Sequence, residues 1–407
     1  MKKQIISRFL KYVSFDTQSV EESTTVPSSL KQRKLGELLT KELIELGIEN
    51  AYLDEYGYVY GYIPSNTNSN LTIGLIAHQD TATEISGANV KPNVIENYQG
   101  EIIQLANGLF LDPKEFTSLK RQIGHTLVTT DGTTLLGADD KAGITIIMEV
   151  IKNVITNNLP HPNLIVTFTP DEEIGRGTDY FNFDYYKEHN CSFAYTIDGG
   201  EPFEINFENF NAASAHVEVI GNSIHPGSAK DKMVNSLAIA MEFHAMLPKH
   251  QVPELTENYQ GFNHLLAMEG SCNLTTLDYI IRNHDKIEFN NQKELFKEIA
   301  NFLNKKYPNR VKLNLKDSYF NMRELILEHH EVLEYPIKAM KRLKVDPTFV
   351  PIRGGTDGAR LTFNGIYTPN LGTGGYNYHG AHEYADINEM ELMIKIVTEM
   401  LKVCTEQ

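Results

Sequence analysis

Five places in the chain put an imidazole or a carboxylate where metal or acid–base chemistry would need one. His78 and Asp80 follow the apolar run LTIGLIA as HQD, and Asp139 and Asp140 follow TTLLGA. Glu172 and Glu173 follow NLIVTFTP within DEE, and Asp198 follows SFAYTI ahead of Gly199 and Gly200. His379 lies in the glycine-rich GTGGYNYHG after YTPNL. Each pattern alone is ordinary: a hydrogen-bonded pair, a solvated turn, or a helix N-cap formed by one of the two aspartates. Open parallel sheets bind ligands beyond the carboxyl ends of their strands, so the five together carry more weight. Carboxylates gathered on one edge raise one another's pKa unless a cation neutralises them.

Two imidazoles and three carboxylates suit zinc, with one His and one terminal carboxylate per ion and a third carboxylate shared. Such a pair generates hydroxide at neutral pH and polarises a carbonyl. Glu172 and Glu173 are neighbours in extended chain, so their side chains point opposite ways. One can ligate while the other takes a proton from water. Asp80, two residues from His78, suits a carboxylate that orients the imidazole. Asp139 and Asp140 remain alternatives for the shared ligand at this point.

The elements that must position these groups are legible as periodicity. Ile5, Ile6, Phe9, Leu10 and Val13 recur at helical spacing, and 28–48 reads as a second helix ending at Gly47. Strand-like runs cover 58–63, 71–77, 163–170 and 192–197, and 84–125 reads as surface loop. Asp131-Gly132 between β-prone runs predicts a hairpin. Ile144, Ile147, Met148, Ile151, Val154 and Ile155 share the face of a helix starting near Asp140.

After residue 208 the pattern changes. A strand at 212–221, a helix at 231–247, strands at 263–270 and 273–282, a helix at 291–306 and a strand at 310–316 give a βαββαβ order. The α/β character then returns with helices at 329–343 and 388–403 and a β run near Phe349. The expected architecture is α/β, a catalytic domain with a mixed, mostly parallel sheet at 1–208 and 319–407. An α+β module at 209–318 interrupts it.

Composition narrows the function. The 407 residues are 41 % hydrophobic and 22 % charged, as in globular chains. With 53 acidic against 37 basic residues the formal charge is −16, which argues against nucleic acid and against an anionic membrane surface. No apolar run reaches the length of a membrane span. Cys191, Cys272 and Cys404 form neither a disulfide framework nor a metal knuckle, and read as buried small hydrophobes in a reducing cytoplasm. His329 and His330 read as part of a solvated helix face, and His161, His244 and His250 as loop residues.

The fragments HQDT, LLGADDKAG, TPDEEIGRG, YTIDGG, GNSIHPGSAK, PIRGGTDGA and TGGYNYHG resemble the dinuclear zinc metallopeptidases related to carboxypeptidase G, aminoacylase and the bacterial dipeptidases. The resemblance spans nearly the whole chain. It implies a zinc-peptidase-type catalytic domain with an inserted lid or dimerisation domain. It also implies two Zn²⁺ bridged by Asp139, which matches the family's Asp-x-Lys through Asp139-Asp140-Lys141. His78 and Asp198 would complete one site and Glu173 and His379 the other, with Glu172 as general base and Asp80 supporting His78. His225 resembles the family histidine that reaches the scissile carbonyl. Arg353 and Arg282 could clamp a peptide carboxylate, Arg282 alternatively pairing with Asp285. The implied activity is a cytoplasmic metallo-aminopeptidase releasing the N-terminal residue from tripeptides. A dipeptidase or an N-acyl-amino-acid deacylase is the alternative, and short peptides and a second copy of the chain are the expected partners.

Overall fold

The computed structural model describes residues 1–406, which divide into two compact units. The larger comprises Met1–Phe207, Glu324–Val350 and Thr356–Gln407, and the smaller Glu208–Arg323 with Pro351–Gly355.

The larger unit is built on an eight-stranded sheet. Its order is Tyr52–Leu53, Val59–Ile63, Asn163–Thr169, Thr72–His78, Phe193–Gly199, Asn370–Gly372, Glu204–Asn206, Thr348–Phe349. Four of the seven pairings are parallel, including those joining the three central strands. All seven positions of Thr72–His78 are buried, as a strand covered on both faces requires. Helix Ala138–Thr156 packs against Thr72–His78 and Phe193–Gly199, and the helices Lys2–Val13 and Ile387–Val403 pack against it in turn. Ile5, Phe9, Tyr12 and Val13 are the buried face of the first helix, at the i, i+4, i+7, i+8 spacing an amphipathic helix needs. Ile76 and Ile165 pack with Tyr58, Tyr60, Phe181, Tyr186 and Leu361 in a separate cluster.

Register decides what this sheet presents. His78 lies opposite Thr169, and Ile76 opposite Thr196, so Asp80, Glu172, Glu173 and Asp198 all emerge near one edge. The predicted hairpin at Asp131-Gly132 does not form. Leu127–Thr129 pairs instead with Tyr384–Asp386 and Asn93–Ile95, in a small sheet with Gly375–Tyr376. Asp131 Oδ1 accepts from the Thr133 N–H and hydroxyl, and Gly137 at φ +82° turns the chain into the helix, so the second run never extends. The 84–125 segment is likewise more than loop. Tyr98, Ile103, Leu111 and Leu119 form a small core with Tyr376 and Tyr384.

The smaller unit has the βαββαβ order. Its antiparallel sheet runs Phe262–Gly270, Leu274–Asn283, Asn211–Ile220, Val311–Tyr319. Alternate residues Ala213, Ala215, Val217, Val219 and Leu277, Tyr279, Ile281 pack beneath Ile239, Phe243, Phe289, Phe296 and Leu303 of two helices. The second helix begins at Lys286, ahead of the expected 291, because Asp285 caps it by accepting from the Ile287 and Glu288 N–H groups. The first begins at Ser236 because Val234 bridges to Asn222. Residues 351–355, expected with the catalytic part, belong to this unit, where Ile352 bridges to Asn209. His329 and His330 sit between two helices, Arg323–Glu328 and Glu331–Arg342, and His329 stacks on Tyr367 at 3.7 Å rather than lying on a solvated face. Cys191 and Cys404 are buried, Cys272 is half-buried, and all three are free. Among the described residues no helix is long and apolar enough to cross a membrane.

Candidate metal centre

Five side chains from five separate segments of the larger unit meet at the sheet edge. His78 Nε2 lies 2.8 Å from Asp139 Oδ1 and 3.5 Å from Asp198 Oδ1. His379 Nε2 lies 2.9 Å from Glu173 Oε2 and 3.3 Å from Asp139 Oδ2. The two oxygens of Asp139 therefore face different imidazoles, which is the layout of a carboxylate shared between two ions. Ligand atoms of His78, Asp139 and Glu173 lie within 4.8 Å of one another, as do those of His78, Asp140 and Asp198. Asp140 is otherwise engaged. Its Oδ1 accepts from the Gly143 N–H at 3.0 Å and its Oδ2 from the His78 N–H at 3.2 Å, so it fastens the start of the helix to the end of the strand.

The remaining donor capacity fits a cation. Among the described residues Glu173 Oε1 is buried without a hydrogen-bond partner, which is costly for a carboxylate unless something positive occupies its other side. His379 adopts φ +62°, a left-handed conformation that costs a histidine about 1 kcal/mol and persists where the surroundings hold it.

With protons as the only counter-charge, the cluster divides them unevenly. Hydrogen bonds to Asp139 and Glu173 raise His379 to about 12. Burial opposes ionisation of Asp139, yet His379 and His78 hold it below the usual carboxylate range. Burial, reinforced by the Asp139 charge, pushes Glu173 up to about 8. Burial and Asp139 likewise lift Asp198 to about 6, against the pull of His78. Glu172 is pushed up by burial and by the charges of Asp198 and Asp357.

Asp80 supports more than His78. Its backbone carbonyl lies 3.2 Å and its Oδ1 3.3 Å from His78 Nδ1. The same carboxylate accepts the Glu172 N–H at 3.0 Å, the Glu173 N–H at 3.1 Å and the Ser19 hydroxyl at 2.6 Å. One buried group thus aligns an imidazole and the turn carrying both glutamates. Sequence reading missed Ser19, Asp357 and Glu383. Asp357 is buried at the start of a short helix and accepts from the Thr169 hydroxyl at 3.1 Å. Glu383 contacts the Asp139 loop from four residues past His379. Each is a single acid without a ligand motif, Asp357 opening a short helix and Glu383 lying in a loop, and only the glycines around Asp357 signal a close approach.

The three substrate-facing expectations fall in the smaller unit. His225 occupies an exposed turn where its Nδ1 accepts from the Gly227 N–H at 3.2 Å. Arg282 lies over the Tyr319 ring at 4.9 Å, and its Nη1 is buried without an acceptor among the described residues. It does not pair with Asp285, whose carboxylate is the helix cap. Arg353 needs correction as a free clamp. Its guanidinium donates to the carbonyls of Asn258, Gln260 and Thr256 and to the Thr256 hydroxyl, and it packs over Phe210, so it braces the 256–260 loop.

Known proteins place this architecture. Residues 207–311 match the peptidase dimerisation domain of the M20 family. The fold superposes on the aminopeptidase PepT of Bacillus cereus with a TM-score of 0.79 at 20 % identity, covering 100 % of this chain and 99 % of that one. It also superposes on a Bacillus subtilis protein described as a dinuclear metal-binding peptidase of the M20 family, with a TM-score of 0.66 at 12 % identity over 100 % and 98 % of the two chains. The fold is therefore that of the M20 peptidases, a catalytic unit interrupted by a dimerisation unit. In sequence, peptidase T of Clostridium perfringens is 48 % identical over 408 residues, covering 100 % of both chains. That of Caldanaerobacter subterraneus subsp. tengcongensis is 49 % identical over 404 residues and 98 % of each. The chain belongs to the peptidase T family, and it is a hydrolase.

Proposed function

We propose that the chain is a dizinc aminopeptidase that releases the N-terminal residue of tripeptides. The observation that carries the reading is Asp139, whose two oxygens face His78 and His379 while Asp198 and Glu173 flank the pair. His78 and Asp198 would hold one ion and Glu173 and His379 the other, with Asp139 placed to serve both. Zinc suits this nitrogen and oxygen donor set, and when bound it lowers the pKa of water and polarises the scissile carbonyl.

The chain's own residues do the rest. Glu172 stands next to a ligand but joins none of the candidate metal groups, so its carboxylate is available to take a proton from the attacking water. It returns that proton to the leaving amine as the peptide bond breaks. Burial and the charges of Asp198 and Asp357 raise the Glu172 carboxyl, a direction that favours its holding the transferred proton. Asp80 fixes the His78 ring and the Glu172 backbone together. From the smaller unit, His225 is our assignment for the developing oxyanion, and Arg282, with its unpaired Nη1, for the peptide's carboxylate. The match to a dimerisation domain supports a homodimer, and the three free cysteines accord with a reducing cytoplasm.

The purified protein loaded with Zn²⁺ is expected to cleave free tripeptides and to spare the same peptides N-acetylated. Equal rates on both would refute the aminopeptidase reading. Cleavage confined to dipeptides, or release of acetate, would make it a dipeptidase or a deacylase.

A further inference from the structure

The geometry points to Glu383 as the positioning residue of the metal centre, the group that sets Asp139 in its shared position and locks together the two loops that deliver Asp139 and His379. The inference rests on the proposed dizinc reading. Glu383 is 1 % exposed. Its Oε2 accepts the N–H groups of Leu136 at 2.7 Å and Gly137 at 2.9 Å, and its Oε1 accepts the N–H of Asp139 itself at 3.1 Å. Three backbone amides within four residues thus converge on one carboxylate, the last of them that of the residue whose two oxygens must be aimed 2.8 and 3.3 Å from two different imidazoles.

Neither end of this contact is held by regular secondary structure alone. The loop that donates these N–H groups is irregular, with Gly137 at φ +82° and Asp139 outside helical geometry at φ −84°, ψ 106°. Without Glu383, the amides of Leu136, Gly137 and Asp139 would be buried donors that lose their acceptor, and the loop would re-form around water. The loop that carries the accepting carboxylate, residues 377–383, hangs from the hairpin pairing Gly375–Tyr376 with Tyr384–Asp386. It also carries His379. The Glu383 backbone is fixed separately, its N–H donating to the Gly380 carbonyl at 3.2 Å and its carbonyl accepting from the Thr130 N–H at 3.4 Å. One short segment therefore supplies a ligand to one ion and aims the carboxylate shared by both. Burial and the Asp139 charge push the Glu383 carboxyl up to about 7 against the pull of its three N–H donors, and the buried Lys141 ammonium, donating to the Phe15 carbonyl at 2.8 Å, is held up against burial by the Glu383 charge.

The side chain matters in its ionised form. A glutamine offers one acceptor oxygen in place of two, and its NH₂ would face at least one backbone N–H. Either the Leu136–Gly137 pair or the Asp139 N–H loses its acceptor. Asp139 then rotates away from one imidazole or the other, and both ions lose a ligand's alignment. A carboxylate supporting a ligand from behind is worth 10–100-fold in metal affinity.

The test is Glu383→Gln, read by competition titration of Zn²⁺ against a chromophoric chelator and by the absorption spectrum of the Co²⁺-loaded protein. The expected result is a 10–100-fold weaker affinity for both equivalents, a shifted Co²⁺ spectrum, and a lower kcat with KM for a tripeptide little changed. Near-ultraviolet circular dichroism of the apoprotein reports whether the chain has folded. Should Glu383→Gln fail to fold, Glu383→Asp keeps the charge but is one methylene shorter, and it is expected to weaken metal binding in the same way. Wild-type affinity and spectrum in whichever variant folds would overturn the inference. A wild-type protein that binds two ions but leaves tripeptides intact would overturn the proposed activity while leaving this titration readable.

Discussion

Glu172→Gln separates the proton-transfer role from the metal-holding role more cleanly than any other substitution. The backbone N–H of Glu172 donates to Asp80 Oδ1 at 3.0 Å, a contact the side chain does not touch. The replacement is isosteric, and the carboxylate it removes belongs to none of the groups able to hold an ion. Two equivalents of Zn²⁺ should therefore bind with wild-type affinity. The apoprotein should be about as stable as wild type, because burial and the charges of Asp198 and Asp357 already disfavour the Glu172 anion and the amide has the same shape. What disappears is the group that carries the proton. General acid–base catalysis contributes about 10²–10⁴-fold, so kcat should fall by that factor, equivalent to about 3–5.5 kcal/mol of barrier. KM should stay within a few-fold. Glu173→Gln, one residue on, should invert the pattern by losing one ion, since Glu173 Oε2 is the group 2.9 Å from His379. The assay is initial-rate hydrolysis of a free tripeptide with metal content measured on the same sample. A Glu172→Gln protein that keeps both ions and turns over within threefold of wild type would remove Glu172 from the chemistry.

Two further outcomes follow from packing and burial. Gly143 has no room for a side chain, since a Cβ there would overlap the Ile197 carbonyl oxygen and the Asp140 carboxylate. Gly143→Ala should destabilise the larger unit toward the upper end of about 1–3 kcal/mol and weaken metal binding by displacing Asp140 from the His78 N–H; wild-type thermal unfolding and metal content would contradict the packing shown. His284, in the smaller unit, is held neutral by burial, with Nε2 3.1 Å from the Ile352 carbonyl and Nδ1 buried without a partner. Its folded pKa lies below the unfolded value of about 6.5, so below that pH the unfolded chain binds the extra proton. Stability should be flat above this pH and fall as the pH drops beneath it. Urea unfolding of the apoprotein at pH 7.5 and 5.5 should show a smaller difference in His284→Gln than in wild type, and an unchanged difference would clear His284 of the effect.

The sheet and the residues at its edge were legible because their signals are local. Thr72–His78 and Asn163–Thr169 are mostly apolar and end in polar groups, as a strand buried on both faces looks in sequence. The Asp285 cap was equally local and still missed, because the apolar periodicity of the helix it opens is clearest later in the chain. The small sheet failed for a different reason. Val128 pairs with Ala385, and no short-range rule anticipates a strand whose partner lies so far along the chain, so Asp131-Gly132 was given a neighbour it does not have. The return of 351–355 to the smaller unit is hidden in the same way, since Arg353 looks like a free cation in sequence and finds its acceptors only at Thr256, Asn258 and Gln260.

The same division runs through the metal centre. A ligand must be a particular residue type at the end of a particular element, so it leaves a trace in sequence. A group that aims a ligand needs only to reach a backbone amide, and any acid of sufficient length in any nearby loop will do. Glu383 and Asp80 perform comparable work, each gathering N–H groups that precede or carry a ligand. Asp80 was readable because it stands two residues from His78, whereas Glu383 acts on Asp139 across 244 residues of chain. The energetic weight of the centre is thus shared between residues the sequence advertises and residues it conceals. Substitutions at the concealed ones should change metal affinity by misaiming ligands, although none of the five ligand residues is itself replaced.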